Sequence, residues 1–428
     1  MALLIEKGPY RKWQYKIFSA TWIAYIGYYF ARKAFFVVKS DMAGSLGINT
    51  IELAHLGTAY LVSYMVGQYS SAYFGRKLGP KYLLIFGMGI SLVCNIVFGA
   101  SNSYWTILLF LSLNGLAQGT GWPGCIGSLA YWFKRKQRGS ILGVWSTTYQ
   151  VGSVLATGFA AYMLGHYGWR WSFYGASMVL MVIWIAVYYL HPNRPEDVGL
   201  EPLYDEDDEV VKNVDGKQVE SKEKGLGWNR EIVFTIITMG LIYFGIKFLR
   251  YALWSWVPFL LRNNFGQAGD DAGYISTVFD LFGFLGVIFA GFASDKLFKG
   301  RRSFLSFLML FLMALSFFMM YTMGSTSLLY FTISMGLAGF MLYGPDSLIS
   351  GVGAIDVGTK RGALVAAGII NGTGSIGPIF QEEIIGWMYV KYNQELTPIF
   401  ILLVVVASVT AFITLVLWLR SRKSEVKL

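Results

Sequence analysis

The chain has 428 residues, of which 55% are hydrophobic, 14% are charged and 49 are glycine, and its formal net charge is +10. A soluble domain is typically about 25% charged, so a string of soluble domains is excluded and an all-α membrane protein is the class that fits. The basic excess lies in short loops between apolar runs, which assigns it to membrane topology rather than to nucleic acid.

A helix needs about 20 mostly apolar residues to cross a bilayer. Twelve such runs occur, near 15–39, 52–74, 81–101, 104–132, 140–165, 170–191, 230–262, 271–294, 303–323, 326–352, 361–390 and 396–420. An even number of spans puts both termini on one side. Lysine and arginine collect before span 1 (Lys7, Arg11, Lys12, Lys16) and in the 2–3 loop (Arg76, Lys77, Lys81). They collect again in the 4–5 loop (Lys134, Arg135, Lys136, Arg138) and the 8–9 loop (Lys296, Lys299, Arg301, Arg302). The other face has little more than Lys39, Arg170, Arg262 and Lys391. The positive-inside rule therefore predicts cytoplasmic termini. Residues 192–228 carry eleven acidic and five basic residues and read as a polar cytoplasmic linker.

The two sides of that linker repeat each other. Arg32 and Arg250, Arg76 and Lys296, Gly115-Leu116-Ala117 and Gly336-Leu337-Ala338, and Gly152 and Gly374 are related by offsets of 218 to 222 residues. The expectation is two six-helix halves, 1–191 and 229–428, joined by the linker. Repeats of this kind place a substrate site near the bilayer midplane.

Charges inside spans are costly and mark functional positions. Span 1 has Arg32 and Lys33, and span 7 has Lys247 and Arg250. The acids are Asp280 in span 8, Asp346 in span 10, and Glu382 and Glu383 in span 11. Tyr25, Tyr29 and Arg32 share one helix face, as do Lys247 and Arg250. Two arginines at matched positions suit a dianion, because guanidinium gives bidentate hydrogen bonds to phosphate and keeps its charge when desolvated. The competing reading pairs the four cations with the four acids. Glu382 and Glu383 are adjacent and cannot both face one ligand, so one of them is expected in a structural ion pair. Tyr64 and Gln68 share a face of span 2, and Ser146 and Tyr149 a face of span 5. These are further polar candidates, with helix–helix hydrogen bonding as the alternative.

Other signals point away from chemistry. Cys94 and Cys125 lie in apolar runs, and the three histidines have no ligand spacing, so no metal site is expected. Gly372-Thr373-Gly374-Ser375-Ile376-Gly377 matches a dinucleotide fingerprint but lies inside span 11 with no strand before it. No cofactor and no enzymatic activity are expected.

The duplicated plan and the paired loop signatures resemble the major facilitator superfamily. Gly291-Phe292-Ala293-Ser294-Asp295-Lys296 with Gly300-Arg301-Arg302 copies its loop signature, and the first copy, Gly75-Arg76-Lys77-Leu78-Gly79, has Gly75 where Asp is usual. More specific segments resemble the organophosphate:phosphate antiporter family. They are Tyr28-Tyr29-Phe30-Ala31-Arg32-Lys33, the run from Asn114 through Gln118 and Trp122 to Pro123, Leu249-Arg250-Tyr251, Tyr343-Gly344-Pro345 and Pro195-Glu196-Asp197-Val198-Gly199-Leu200. The segment from Asn371 to Gly377 resembles eukaryotic sugar-phosphate exchangers.

That resemblance implies the major facilitator fold and exchange of a phosphorylated sugar or polyol for inorganic phosphate. It puts Arg32 and Arg250 on the family's phosphate-binding arginines and Tyr25, Tyr29 and Tyr64 on its pocket tyrosines. Lys247, Gln68, Ser146, Tyr149 and Asn371 complete the candidate substrate-binding set. Glycerol-phosphate members have His in place of Tyr149, Lys in place of Gln68 and Tyr in place of Lys247. Arg76, Asp280, Asp295, Lys296, Glu382 and Glu383 are the candidate gating or ion-pair residues. The alternatives are a transporter-like membrane sensor of external sugar phosphate and a proton-coupled organic anion symporter using Glu382, Glu383 or Asp280. The expected partners are the small phosphates and the lipid bilayer, with no nucleic acid, and a monomer is expected. A bacterial inner membrane fits the short external loops, and an endoplasmic reticulum membrane also fits them.

Overall fold

The structure is a computed structural model that describes residues 8–134, 141–203, 229–298, 301–353 and 359–422, without the side chains of 72–77, 295, 351–353, 359–365 and 367. The described residues contain helix and connecting turns and no strand. The α-helices are α1 (Arg11–Leu46), α2 (Thr50–Leu78), α3 (Pro80–Ala100), α4 (Tyr104–Gln118), α5 (Gly121–Trp132), α6 (Thr148–Tyr167) and α7 (Trp169–Leu190). After the linker come α8 (Arg230–Asn264), α9 (Gly269–Phe292), α10 (Arg302–Met319), α11 (Leu328–Ser347), α12 (Thr359–Lys391) and α13 (Thr397–Ser421). Helices α4 and α5 make one crossing, broken at Gly119 and Thr120, so thirteen helices give the twelve spans read from the sequence.

Seven of these helices, counting short π-helical extensions of two of them, are long and apolar enough to cross a membrane on that ground alone. The rest show why apolarity is not sufficient. Helix α1 carries Arg32, Lys33 and Lys39, and the fourth crossing is divided between α4 and α5.

Local signals set the helix ends. Asn49 and Glu52 cap α2 reciprocally: Glu52 N–H donates to Asn49 Oδ1 at 2.9 Å, and Asn49 N–H donates to Glu52 Oε2 at 2.8 Å. Asn229 caps α8, accepting from Ile232 N–H at 2.8 Å. The reversal from α2 to α3 turns at Gly79 (φ 82°), in the left-handed region that glycine enters without a Cβ clash, and Pro80 then opens α3.

By their contacts, the described residues form two compact units. The first contains residues up to Ala34, 62–163 and 167–203, and the second contains 35–61, 164–166 and 229–422. In the first unit α3 packs on α4, α5 and α7. In the second, α8 packs on α12, α9 on α11, and α10 on α13.

Each unit has a glycine-lined helix crossing. A Cβ added at Gly67 of α2 would meet the Leu116 backbone of α4, and one at Gly119 would meet the backbone of Gly67 and Gln68. In the second unit, Gly286 of α9 lies against the Phe340 backbone of α11, and Gly339 against Phe279. Small residues let helices approach closely enough to pack without a hydrophobic drive. The pairs Gly67/Gly286 and Gly119/Gly339 are 219 and 220 residues apart, inside the offset of the sequence repeat. Duplication is thus written in the packing as well as in the charges.

Candidate functional site

The first cluster is built on α1. Arg32 is buried in mid-helix. Its Nε and Nη2 donate to Gln118 Oε1 at 3.3 and 3.2 Å. Gln118 is the last residue of α4, where the break begins, and its own amide donates to Ser91 Oγ at 3.3 Å. The guanidinium lies 4.9 Å from the Tyr64 ring centroid and 5.3 Å from that of Tyr29. Cation–π contact at these distances is attractive and gains strength on desolvation. Gln68 Nε2 donates to the Tyr64 hydroxyl at 2.9 Å, one helical turn away.

Tyr25 joins this cluster to α6. Its ring meets Tyr29 edge-on at 5.7 Å and Tyr149 at 5.4 Å, and it packs on Trp145 at 5.3 Å and Trp122 at 6.3 Å. Arg32, Tyr25, Tyr29, Tyr64, Gln68 and Tyr149 are therefore brought together. Gln118, Trp122 and Trp145 belong with them and were not singled out from the sequence. The signal for Gln118 and Trp122 was their place in the run Asn114–Pro123. Ser146 takes a different course: its hydroxyl donates to the Gly143 carbonyl at 2.8 Å. Helix is interrupted at residues 146–147, so the side chain satisfies its own turn.

The second cluster is built on α8. Arg250 Nη1 donates to Asp346 Oδ2 of α11 at 2.7 Å in an ion pair. Lys247 Nζ donates to Asn371 Oδ1 at 3.0 Å and Ser375 Oγ at 3.1 Å, both on α12, and lies 4.8 Å from the Tyr243 ring centroid. Lys247, Arg250 and Asn371 thus share one region of α8, α11 and α12. Asp280 is buried and accepts from the Tyr343 hydroxyl at 2.5 Å.

Two adjacent glutamates of α12 divide between partners. Glu382 is fully buried and pairs with Lys39, and it accepts from Ser255 Oγ at 3.0 Å and Trp256 Nε1 at 3.1 Å. Glu383 is exposed and takes a hydrogen bond from His55 Nδ1 at 3.0 Å. Lys39, Glu382, His55 and Glu383 all lie in the second unit. The reading of Lys39 as an external-loop cation is corrected: α1 continues seven residues beyond it, and its side chain has no exposure. In the 8–9 loop Lys296 is exposed, its Nζ 5.2 Å from the Phe292 ring centroid. The side chains of Arg76 and Asp295 lie outside the described residues. Among the described residues no group of acidic, histidine or cysteine side chains could hold a metal ion.

The profile of the Major Facilitator Superfamily matches residues 21–380. The chain belongs to the Major Facilitator Superfamily. It is 28% identical to the "Probable hexose phosphate transport protein" of Chlamydia pneumoniae, with 98% of this chain and 94% of that protein covered. It is 26% identical to the "Membrane sensor protein UhpC" of Salmonella typhimurium, with 95% and 92% covered. These relatives bear out the resemblance to the organophosphate:phosphate antiporter family. Among solved structures, a bacterial homologue of the human lysosomal transporter Spinster matches with a TM-score of 0.72, 13% identity, and coverage of 96% of this chain and 97% of that one. That likeness bears on the fold, which is the twelve-helix, all-α major facilitator fold.

Proposed function

We propose that this protein is a secondary active transporter that exchanges a phosphorylated sugar or polyol, such as a hexose phosphate or glycerol-3-phosphate, for inorganic phosphate by alternating access. The observation that carries the reading is the pair Arg32 and Arg250. Matched in the repeat, each is held by a neighbouring polar side chain and lies within reach of aromatic rings. Both contribute planar, permanently charged donors to the phosphoryl group. Lys247, with Asn371, adds charge from α8 and α12. Tyr25, Tyr29, Tyr64, Gln68, Ser146 and Tyr149 orient the ligand. Arg76, Asp295, Lys296, Asp280, Glu382 and Glu383 serve the gates and the ion pairs that stabilise each access state.

In this reading the halves 1–191 and 229–428 move as the two alternating elements. The charge pattern of the loops supports a monomer with both termini and the 192–228 linker cytoplasmic, in a bacterial inner membrane.

Vesicles loaded with phosphate and supplied with labelled phosphate and a panel of sugar phosphates test the reading. Exchange competed by one sugar phosphate, and lost in Arg32→Ala and Arg250→Ala, is the expected result. Absence of phosphate flux in the intact protein would overturn it. A second reading, a sensor of external sugar phosphate, is favoured by the likeness to a membrane sensor. Binding of a sugar phosphate without flux would select it.

A further inference from the structure

The counter-group of Arg250 has a peculiarity that its ion pair does not explain. Asp346 contacts Arg250 through Oδ2 alone, and its other oxygen, Oδ1, is buried with no hydrogen-bond partner. Buried carboxylates kept for stability ordinarily have both oxygens satisfied, since an unmet acceptor costs about 1–3 kcal/mol. The backbone under Asp346 is also weakly held. Pro345 lies inside α11 and removes a backbone donor, and beyond Ser347 the chain passes into π-helical turns at Leu348–Gly353. A carboxylate on such a segment, bound by one oxygen, is easily displaced from its cation.

The charges around it are arranged for competition. Tyr243 neighbours both Arg250 and Asp346, and its ring also faces Lys247. Lys247 is one helical turn before Arg250 on α8 and donates to the neutral oxygens of Asn371 and Ser375. An incoming dianion on Arg250 would meet Asp346 as a like charge at the same guanidinium.

We propose that Asp346 is a built-in counter-anion of Arg250 that the substrate phosphoryl group must displace, and that it thereby sets the affinity of the second unit for phosphate. The proposal rests on the exchange reading and adds to it a residue that opposes binding. It is a specificity device as well. A dianion gains more from displacing a carboxylate than a monoanion does, so the pair selects for doubly charged phosphate over singly charged anions.

The test compares wild-type protein with Asp346→Asn and Asp346→Glu, all full length in detergent, titrated with labelled inorganic phosphate and followed by thermal unfolding with and without phosphate. Removal of the competing charge is expected to tighten phosphate binding on the order of tenfold, the scale of coupling between mutually exclusive contacts. The same change leaves a buried guanidinium without its counter-charge, so Asp346→Asn is expected to unfold earlier without phosphate and to gain more from phosphate than wild type. Asp346→Glu keeps the charge and should behave like wild type in both measurements. An ordinary structural role predicts the opposite sign for affinity, because misplacing Arg250 would weaken binding. Phosphate binding in Asp346→Asn that is equal to or weaker than wild type therefore overturns the proposal and leaves the transporter reading standing. No binding of phosphate or sugar phosphate by the wild type overturns the transporter reading and the proposal with it.

Discussion

Arg32 and Arg250 occupy matched places in the two repeats but differ in what holds them. Arg32 donates twice to the amide oxygen of Gln118 and lies against two tyrosine faces. Arg250 donates to a carboxylate. Duplication has preserved the position of the cation and let its surroundings diverge. An amide orients a guanidinium at little electrostatic cost to an incoming anion. A carboxylate stabilises the buried charge more strongly and must be outcompeted. The first unit is thus arranged to present a charge, and the second to guard one.

The bluntest way to break this comparison is truncation. Arg32→Ala and Arg250→Ala should each lower phosphate exchange in vesicles by roughly 100-fold, from about 3 kcal/mol for a lost desolvated charge contact. If only one of them did so, the two arginines would not serve one ligand.

A subtler change makes the first unit resemble the second. Gln118→Glu places a carboxylate on Arg32, as Asp346 does on Arg250, and should weaken phosphate binding about tenfold on the same coupling scale. Tighter binding in that variant would show that Arg32 needs a counter-charge rather than an orienting amide. Lys247→Gln tests whether α8 relies on a second cation. It should raise the half-saturating phosphate concentration about fivefold, corresponding to roughly 1 kcal/mol.

Tyr64→Phe is expected to have the smallest effect. It removes the hydroxyl that accepts from Gln68 and keeps the ring under Arg32, so binding should change less than about threefold, while Tyr64→Leu, which removes the ring, should cost about 1 kcal/mol. Equal losses in the two variants would mean that the hydroxyl, not the aromatic face, matters.

Much of the architecture was legible because bilayer thickness imposes one length on every span. All twelve predicted spans correspond to helical segments, and the matched arginines fall in buried positions on α1 and α8. The break between α4 and α5 was not legible, since Gly119, Thr120 and Gly121 read equally well as a close-packing stretch. Asp346 and Arg250 were both visible as costly intramembrane charges. Their pairing was one of many possible among four cations and four acids, and periodicity cannot choose among helices far apart in the chain. Lys39 was misread for a geometric reason. Helix α1 has 36 residues, about 54 Å at 1.5 Å per residue, nearly twice the hydrocarbon thickness. Apolarity alone therefore does not say which of its charges lie inside. Gln118 carried no charge to draw attention, yet it is the residue that aims Arg32.

The buried pair of Lys39 and Glu382 has a consequence for how the protein is made. The two residues are 343 positions apart. At about 5–20 residues per second, a ribosome takes roughly 17–70 s to add the glutamate after the lysine. Throughout that interval α1 is in or beside the bilayer with an ammonium group whose partner does not yet exist. Exposure of such a group at mid-membrane costs about 2.5–3.5 kcal/mol. The lysine side chain can extend its charge toward the interface until α12 arrives. The first helix to be synthesised is therefore among the last to be settled, and completion of the eleventh span is the event that commits the N-terminal end of the chain to its final depth.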